Sequence, residues 1–295
     1  MPADLVLVVT NVVYATSYAA TRLTLDHVPP ATLALIRLVI GALVLIPVAV
    51  AVRPAAAAPI GRADRWSIVW MGVLGFGGAF AFSHWGIARS TATNAALLIT
   101  VEPISLILLS PWALGERLTP RERLGAALAL LGSAVVVVNG IPGVTGALAP
   151  HWRGDLLLLL AGVAYASYSL LGRGVLTRHP AIAVTAWSIA WGVAAMLPLA
   201  ALEWSAGVAL QLTGRSILGV LYLALIITAL GYLAWNWALE RVPAPRAAIF
   251  LNIQPLVGAL LGVYYLGEPL TVFTVVGGGL ILTGLTLTVK GPGKG

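Results

Sequence analysis

The chain has 295 residues, of which only 9% are charged and 60% hydrophobic, where a soluble domain carries roughly 25% charged residues. Its 17 Lys+Arg and 10 Asp+Glu give a net charge of +7, with the basic residues spread over many loops; this composition excludes a disordered protein, a nucleic-acid binder and an ordinary soluble enzyme. There is no cysteine, and His27, His84, His151 and His179 are scattered, so no disulfide framework, thiol nucleophile, metal site or cofactor is expected.

A helix needs about 20 apolar residues to cross roughly 30 Å of hydrocarbon. Ten such segments follow one another along the chain: 4–24, 31–52, 66–88, 92–114, 121–139, 154–175, 181–202, 215–238, 244–266 and 271–290. The runs are continuously apolar rather than alternating, which predicts helices and not a barrel. Turn and charge signals separate them, among them Asp26-His27-Val28-Pro29-Pro30, Arg62-Ala63-Asp64-Arg65, His179-Pro180 and Gly267-Glu268-Pro269. Spans and short loops use the whole chain, so no soluble domain is expected. The start, Met1-Pro2-Ala3-Asp4, has no basic region, so no cleavable signal peptide is expected.

With ten spans, twelve basic residues fall on the side of the N-terminus: Arg53, Arg62, Arg65, Arg117, Arg121, Arg123, Arg173, Arg178, Arg241, Arg246, Lys290 and Lys294. Four fall opposite, Arg22, Arg89, Arg153 and Arg215, and Arg37 lies inside the second span. Basic loops stay in the cytoplasm. The expectation is a multi-pass protein of the plasma (inner) membrane with both termini cytoplasmic.

The sequence repeats itself. Residues 95–132 align without a gap on 247–284 at an offset of 152, matching Ala95/Ala247, Pro103/Pro255, Gly115/Gly267, Glu116/Glu268, Thr119/Thr271, Gly125/Gly277 and Gly132/Gly284. Upstream, an offset of 151 matches Tyr14/Tyr165, Arg22/Arg173, Pro29/Pro180, Gly41/Gly192 and Pro47/Pro198. Each half holds an odd number of spans, so the second enters the membrane from the other side, as in many secondary transporters. The expected organisation is a first five-helix repeat over 1–140, an outer loop over 141–153, and a second, inverted five-helix repeat over 154–295.

In each half a Pro in the fourth span precedes Leu-Gly-Glu-x-Leu-Thr and a glycine-studded fifth span: Pro103…Leu114-Gly115-Glu116-Arg117-Leu118-Thr119…Gly125…Gly132 and Pro255…Leu266-Gly267-Glu268-Pro269-Leu270-Thr271…Gly277…Gly284. This pattern resembles the EamA family of the drug/metabolite transporter superfamily, and within it the bacterial YddG-type aromatic amino-acid exporters. The resemblance implies an all-α integral membrane fold, ten helices around a central cavity lined mainly by spans one, three, four, six, eight and nine.

Candidate cavity residues follow in chain order. Asn11, Tyr14 and Tyr18 share one face of span one. Arg37 lies inside span two. Span three carries Phe76, Phe80 and His84 at helical spacing, with Trp85 beside them; for His84 a packing role and a place at the cavity mouth are both open. Asn94 and Glu102 share a face of span four. Glu102 is mid-span, where a carboxylate must be paired, protonated or in water. It could form a structural charge pair with Arg37, carry a coupling proton, or bind with Arg37 the two ends of an amino acid. Tyr165, Tyr168 and Ser169 in span six echo span one. Tyr232, Trp235 and Asn236 lie in one turn of span eight, and Gln254 is the repeat match of Glu102. Aromatic rings with polar tips suit a cavity that accepts apolar or aromatic solutes; the interfacial belt is the alternative, preferred for Trp66, Trp152 and Trp204. Pro103 and Pro255 each delete a helix hydrogen bond mid-span and are candidates for gating kinks or plain bends.

Other motifs read as structural. Thr119-Pro120-Arg121-Glu122 is a capping box with Pro at the first helical position. Glu116 and Glu268 suit helix-start N–H groups. Gly258/Gly262 and Gly125/Ala129/Ser133 put small residues on one helix face, for internal packing or for the dimer-like seam that the resemblance suggests.

The leading expectation is a secondary-active exporter of amino acids, aromatic and other neutral ones favoured, and of related small metabolites, by alternating access. The alternatives are a multidrug or other-metabolite exporter of the same superfamily, and an intramembrane enzyme. No phosphate-binding loop, Gly-x-Ser-x-Gly or His-Glu-x-x-His is present, which disfavours ATP-driven transport and the enzyme. The expected partners are a small-molecule substrate and membrane lipid, with no nucleic acid, and the chain is expected to be monomeric.

Overall fold

The computed structural model describes residues 2–52, 60–114, 118–141, 151–239, 241–242 and 250–289. Among these residues every regular element is a helix. We number them α1 (Ala3–Thr24), α2 (Pro30–Ala51), α3 (Arg62–Ala88), α4 (Ala92–Leu98), α5 (Val101–Leu114), α6 (Pro120–Val138), α7 (Trp152–Leu176), α8 (Ala181–Ser205), α9 (Gly214–Ala238), α10 (Ile253–Leu266) and α11 (Val272–Val289). Helix occupies each predicted segment, with α4 and α5 sharing 92–114. Among the described residues seven stretches are long and apolar enough to cross a membrane; Ile253–Leu266 and Val272–Thr288 are apolar but shorter. Gly115, Glu116 and Arg117, the loop 142–150, and Arg53, Arg246, Lys290 and Lys294 lie outside the described residues.

Local chemistry sets the ends. Thr119 accepts from the Glu122 N–H while Glu122 accepts from the Thr119 N–H, the predicted capping box, and Pro120 occupies the first position of α6. Thr91 caps α4 through the Asn94 N–H. Gly267 closes α10 with φ of 68°, a left-handed turn that suits glycine.

Carboxylates distant in sequence reach across to helix starts and side chains of the other half. Glu203, near the end of α8, accepts from the Ala31 and Thr32 N–H groups of α2, each at 2.9 Å. Glu268 accepts from the Ala92 N–H at 2.7 Å and the Thr93 N–H at 2.8 Å, so its predicted role at a helix start is met, on α4. Asp155 of α7 accepts from the Ser90 hydroxyl at 2.5 Å and the Asn94 amide at 3.1 Å, with His151 Nδ1 at 2.7 Å. At the other end of the bundle Asp64 of α3 meets Arg178 at 2.5 Å and His179 at 2.9 Å, and this hydrogen-bonded contact holds the Arg178 guanidinium above its ordinary value. Each clasp joins residues from different halves of the chain.

The halves interlock rather than stand side by side. α2 packs on α8, α4 on α10, and α1 on α10 much as α5 packs on α7. The tightest seam joins α6 to α11. There a methyl on Gly125 would lie 2.7 Å from the Gly284 carbonyl, and one on Gly132 would lie 2.5 Å from the Gly277 carbonyl. The small-residue face of α6 thus packs within the chain. Gly258 and Gly262 of α10 do the same against α4, at Ala96 and Thr93.

Two irregularities recur in both halves. The chain turns at Ile99–Thr100, between α4 and α5, and at Leu251–Asn252, just before α10. The Glu102 N–H then bonds to the Ile99 carbonyl at 2.9 Å and the Gln254 N–H to the Leu251 carbonyl at 3.1 Å, both three residues back. Pro103 and Pro255 follow immediately and cannot donate to those same carbonyls. The predicted interruptions are therefore full breaks. α3 and α9 also each contain a π-helical stretch, Met71–Gly78 and Tyr222–Leu230, a form often found at functional sites.

The seam predicts a contrast between glycines. Gly132→Ala should cost about 1–3 kcal/mol through overpacking and lower the melting temperature in detergent. Gly279→Ala, with nothing within 4 Å of the added methyl, should leave it unchanged or raise it slightly. Equal melting of the two variants would rule out the close α6–α11 contact.

Candidate functional site

The helix breaks and π-helical stretches surround one cavity of about 300 Å³, lined by Tyr14, Ser17, Tyr18, Thr21, Arg37, Gly75, Phe76, Phe80, Ser83, Ile87, Ile99, Glu102, Tyr165, Tyr168, Ser169, Ile227, Tyr232, Trp235, Leu251 and Gln254. α1, α2, α3, α5, α7, α9 and α10 all contribute, so both halves build the wall.

Most of that wall is aromatic and continuous. Phe76 meets Tyr168 at 5.3 Å and Tyr232 at 5.5 Å, both edge-on, and Phe80 at 6.1 Å. Phe80 continues to Tyr165 at 6.2 Å and Tyr232 to Tyr14 at 6.3 Å. The rings can approach because α3 carries a glycine at the crossing. A methyl on Gly75 would lie 2.6 Å from Tyr168 Cβ. The Tyr14 hydroxyl is buried without a protein partner among the described residues. The Tyr168 hydroxyl pairs with Thr185 at 2.9 Å.

Two charged side chains enter this apolar wall. Arg37 donates from Nε to the Thr228 hydroxyl at 2.7 Å, and its guanidinium lies 4.7 Å from the centre of the Phe80 ring. Thr228 sits in the π-helical stretch of α9 and donates in turn to the Leu223 carbonyl at 3.0 Å. Glu102 lines the same cavity. No ion pair within 4.0 Å joins it to Arg37 among the described residues, which corrects the expected direct charge pair. Similar depth in the bundle did not bring the two together, because Thr228 and the Phe80 face hold the guanidinium. Tyr18 and Tyr165 lie within electrostatic reach of both charges.

Of the predicted cavity residues, Tyr14, Tyr18, Phe80, Glu102, Tyr165, Tyr168, Ser169, Tyr232, Trp235 and Gln254 line the cavity, as does Arg37. Five others do not. Asn11 stands behind Gln254, accepting its amide at 2.8 Å and donating to the Leu7 carbonyl at 2.8 Å. His84 is buried off the cavity wall, with Nδ1 2.7 Å from the Phe80 carbonyl and its ring stacked on Phe80. Trp85 is turned to Glu203, with Nε1 donating at 3.3 Å. Asn94 belongs to the Asp155–His151 cluster. Asn236 is buried away from the cavity. Asn94 lies on α4, which contributes no residue to the wall, and the other four sit on wall helices but outside the lining. Pro103 and Pro255 are also absent from the wall; they shape the breaks that carry Glu102 and Gln254.

Ser17 and Thr21 were missed, although they continue the face of Tyr14 and Tyr18 at i+3 and i+7, a signal present in the sequence. Thr228 carried no such signal, since its part as the Arg37 acceptor arises only where α2 crosses α9.

Comparison with known proteins agrees with this architecture. The model of the EamA-like transporter family matches residues 1–138 and again 152–290. The chain is 28% identical over 283 residues to a Streptantibioticus cattleyicolor protein described as a "Probable terminal-alkyne amino-acid exporter", covering 95% of this chain and 91% of that one. It is 27% identical over 293 residues to a Salmonella typhimurium "Probable amino-acid metabolite efflux pump", covering 95% and 92%. An Archaeoglobus fulgidus "Uncharacterized transporter" is 29% identical over 236 residues, covering 78% and 81%. A crystal structure 20% identical in sequence superposes with a TM-score of 0.65 over 97% of this chain and 96% of that one, which supports the fold. The chain belongs to the EamA-like transporter family and is a multi-pass membrane protein.

The Arg37–Thr228 contact can be tested without changing shape. Thr228→Val removes the acceptor and leaves a buried guanidinium short of a partner, which should cost about 1.5–3 kcal/mol. The melting temperature in detergent should fall by several degrees, whereas Thr228→Ser should fall less. A Val variant as stable as the parent would show that the contact carries no net stabilisation.

Proposed function

From that membership we propose that the chain is a secondary exporter of amino acids, aromatic and other neutral ones favoured, and of related small metabolites. It works as a carrier by alternating access, not as an enzyme. Its ten spans form two inverted five-helix repeats, in the plasma membrane, with both termini cytoplasmic. It acts as a monomer on a small-molecule substrate, with lipid as its surroundings.

The observation that carries this reading is the cavity between the halves. A continuous aromatic wall admits an apolar or aromatic side chain, while one cation and one carboxylate at its edge can orient a polar group. The names of the Streptantibioticus and Salmonella relatives point the same way. The clasps at Glu203, Glu268 and Asp155, and the opposing one at Asp64, join the two halves at opposite ends of the bundle. Alternating access requires such contacts to open at one end while those at the other hold. The paired breaks at Ile99–Thr100 and Leu251–Asn252 supply backbone that can bend beside the substrate.

The test is counterflow in proteoliposomes. With one unlabelled amino acid inside and a trace labelled amino acid outside, label should accumulate transiently for aromatic and other neutral amino acids with no ion gradient imposed. Failure for aromatic, aliphatic and basic amino acids alike, with folded protein present, would reject the amino-acid reading and bring drugs or other metabolites forward. In the same assay Tyr14→Ala and Tyr165→Ala should each slow exchange about tenfold without lowering the yield of folded protein. A matching loss of yield would instead assign both rings to packing.

A further inference from the structure

The two repeats set matching residues around matching helix breaks, and they part company at one point. Gln254, just after the second break, is held by neighbours in α1. It donates to Asn11 at 2.8 Å and accepts a long 3.5 Å bond from the Tyr18 hydroxyl. Glu102 occupies the same place after the first break, at the repeat offset of 152. Its neighbours in α7 should be the residues that match Asn11 and Tyr18 at the offset of 151, and these are Gly162 and Ser169. Gly162 does pack there: a methyl added to it would lie 3.1 Å from the Glu102 backbone nitrogen and 3.2 Å from the Ile99 carbonyl. Ser169 lines the cavity. The amide and the phenol that hold Gln254 are thus replaced, beside Glu102, by a hydrogen atom and a short hydroxymethyl group.

Arg37 is unequal in the same sense, since its repeat match is the uncharged Ser188. Among the described residues its Nε–H alone has a hydrogen-bond partner, which leaves the terminal amino groups of the guanidinium able to grip a carboxylate with two parallel bonds. The aromatic part of the wall is shared by both halves, whereas both charges come from the first. A carboxylate and a guanidinium in an apolar wall are costly unless each finds a partner, and they are not each other's.

Building on the carrier reading, we propose that Arg37 and Glu102 are the two poles of a zwitterion site. Arg37 takes the α-carboxylate of the substrate and Glu102 takes its α-ammonium from the cavity side, where Ser169 stands in place of the tyrosine that holds Gln254. Tyr18 and Tyr165 lie within electrostatic reach of both poles, and the substrate side chain rests on Phe76 and Tyr232. The cavity then selects free amino acids over the amines and carboxylic acids that share their side chains.

Competition against labelled L-phenylalanine uptake in the counterflow assay tests this. For the intact protein, unlabelled L-phenylalanine should compete at least about tenfold better than 3-phenylpropionate, which lacks the amine, or phenethylamine, which lacks the carboxylate. Leucine, 4-methylpentanoate and 3-methylbutylamine should repeat the pattern against labelled leucine. Glu102→Gln should narrow the gap to the deaminated acid and keep the gap to the amine; Arg37→Gln should do the reverse. Analogues that compete with the intact protein as well as their parent amino acid overturn the proposal, whether or not either variant folds. So does an active Glu102→Gln carrier whose gaps are unchanged. An absence of counterflow with every amino acid overturns the amino-acid reading first and this one with it, whereas an active but indifferent carrier overturns this one alone.

Discussion

In hydrocarbon no water serves an unpaired N–H or carbonyl, so backbone can leave the helix only where protein or an aqueous cavity receives it. The rest of this structure depends on that constraint. It makes every described element a helix, and it confines irregular backbone to the interior. The turns at Ile99–Thr100 and Leu251–Asn252 face the cavity, and the π-helical stretches of α3 and α9 pass beside it. At the starts of α2 and α4 a carboxylate from elsewhere in the chain accepts the free N–H groups. Two of the clasps that join the halves, Glu203 and Glu268, also satisfy helix termini, so at those points closing the bundle and completing a helix start are one event.

Two kinds of helix contact share the work. Where α6 meets α11 and α10 meets α4, glycines let backbones touch, and rigid packing follows. Around the cavity the contacts are between large rings that meet edge-on and leave a gap. Arg37 couples these regions, since its guanidinium ties α2 to the π-helical stretch of α9 through Thr228 while lying on Phe80. A change in what the guanidinium holds would be felt by elements of both halves. The cavity inherits its aromatic lining from both repeats and its charge from one, which gives a nearly symmetric container an unsymmetric grip.

The family and the sites of helix breakage were legible because they rest on residues whose effect is local. A Pro removes a hydrogen bond wherever it falls in a helix, and Thr119-Pro120-Arg121-Glu122 caps its own helix. The duplicated Pro, Gly and Glu positions announced two related halves. The faces of α1 and α7 were legible too, since 3.6-residue periodicity puts Tyr14 and Tyr18, and Tyr165 and Tyr168, toward one side. Errors came where a side chain had a choice of neighbours. His84, Trp85 and Asn94 lie at plausible positions, yet Phe80, one turn earlier in the same helix, claims His84, and groups distant in the chain, Glu203 and Asp155, claim Trp85 and Asn94.

That the chain is helical and apolar, that it is doubled, where each half is interrupted and which aromatic residues share a helix face can all be read from the amino-acid order alone. Composition, periodicity and hydrogen-bond deletion act within a single helix and need no partner. Helix crossings, in contrast, set Arg37 on Thr228 rather than on Glu102, bring the glycines of α6 against those of α11, and pack Gly162 on the backbone beside Glu102. These depend on the crossing of helices far apart in the chain, where the distance between side chains is set by packing and not by their separation in sequence.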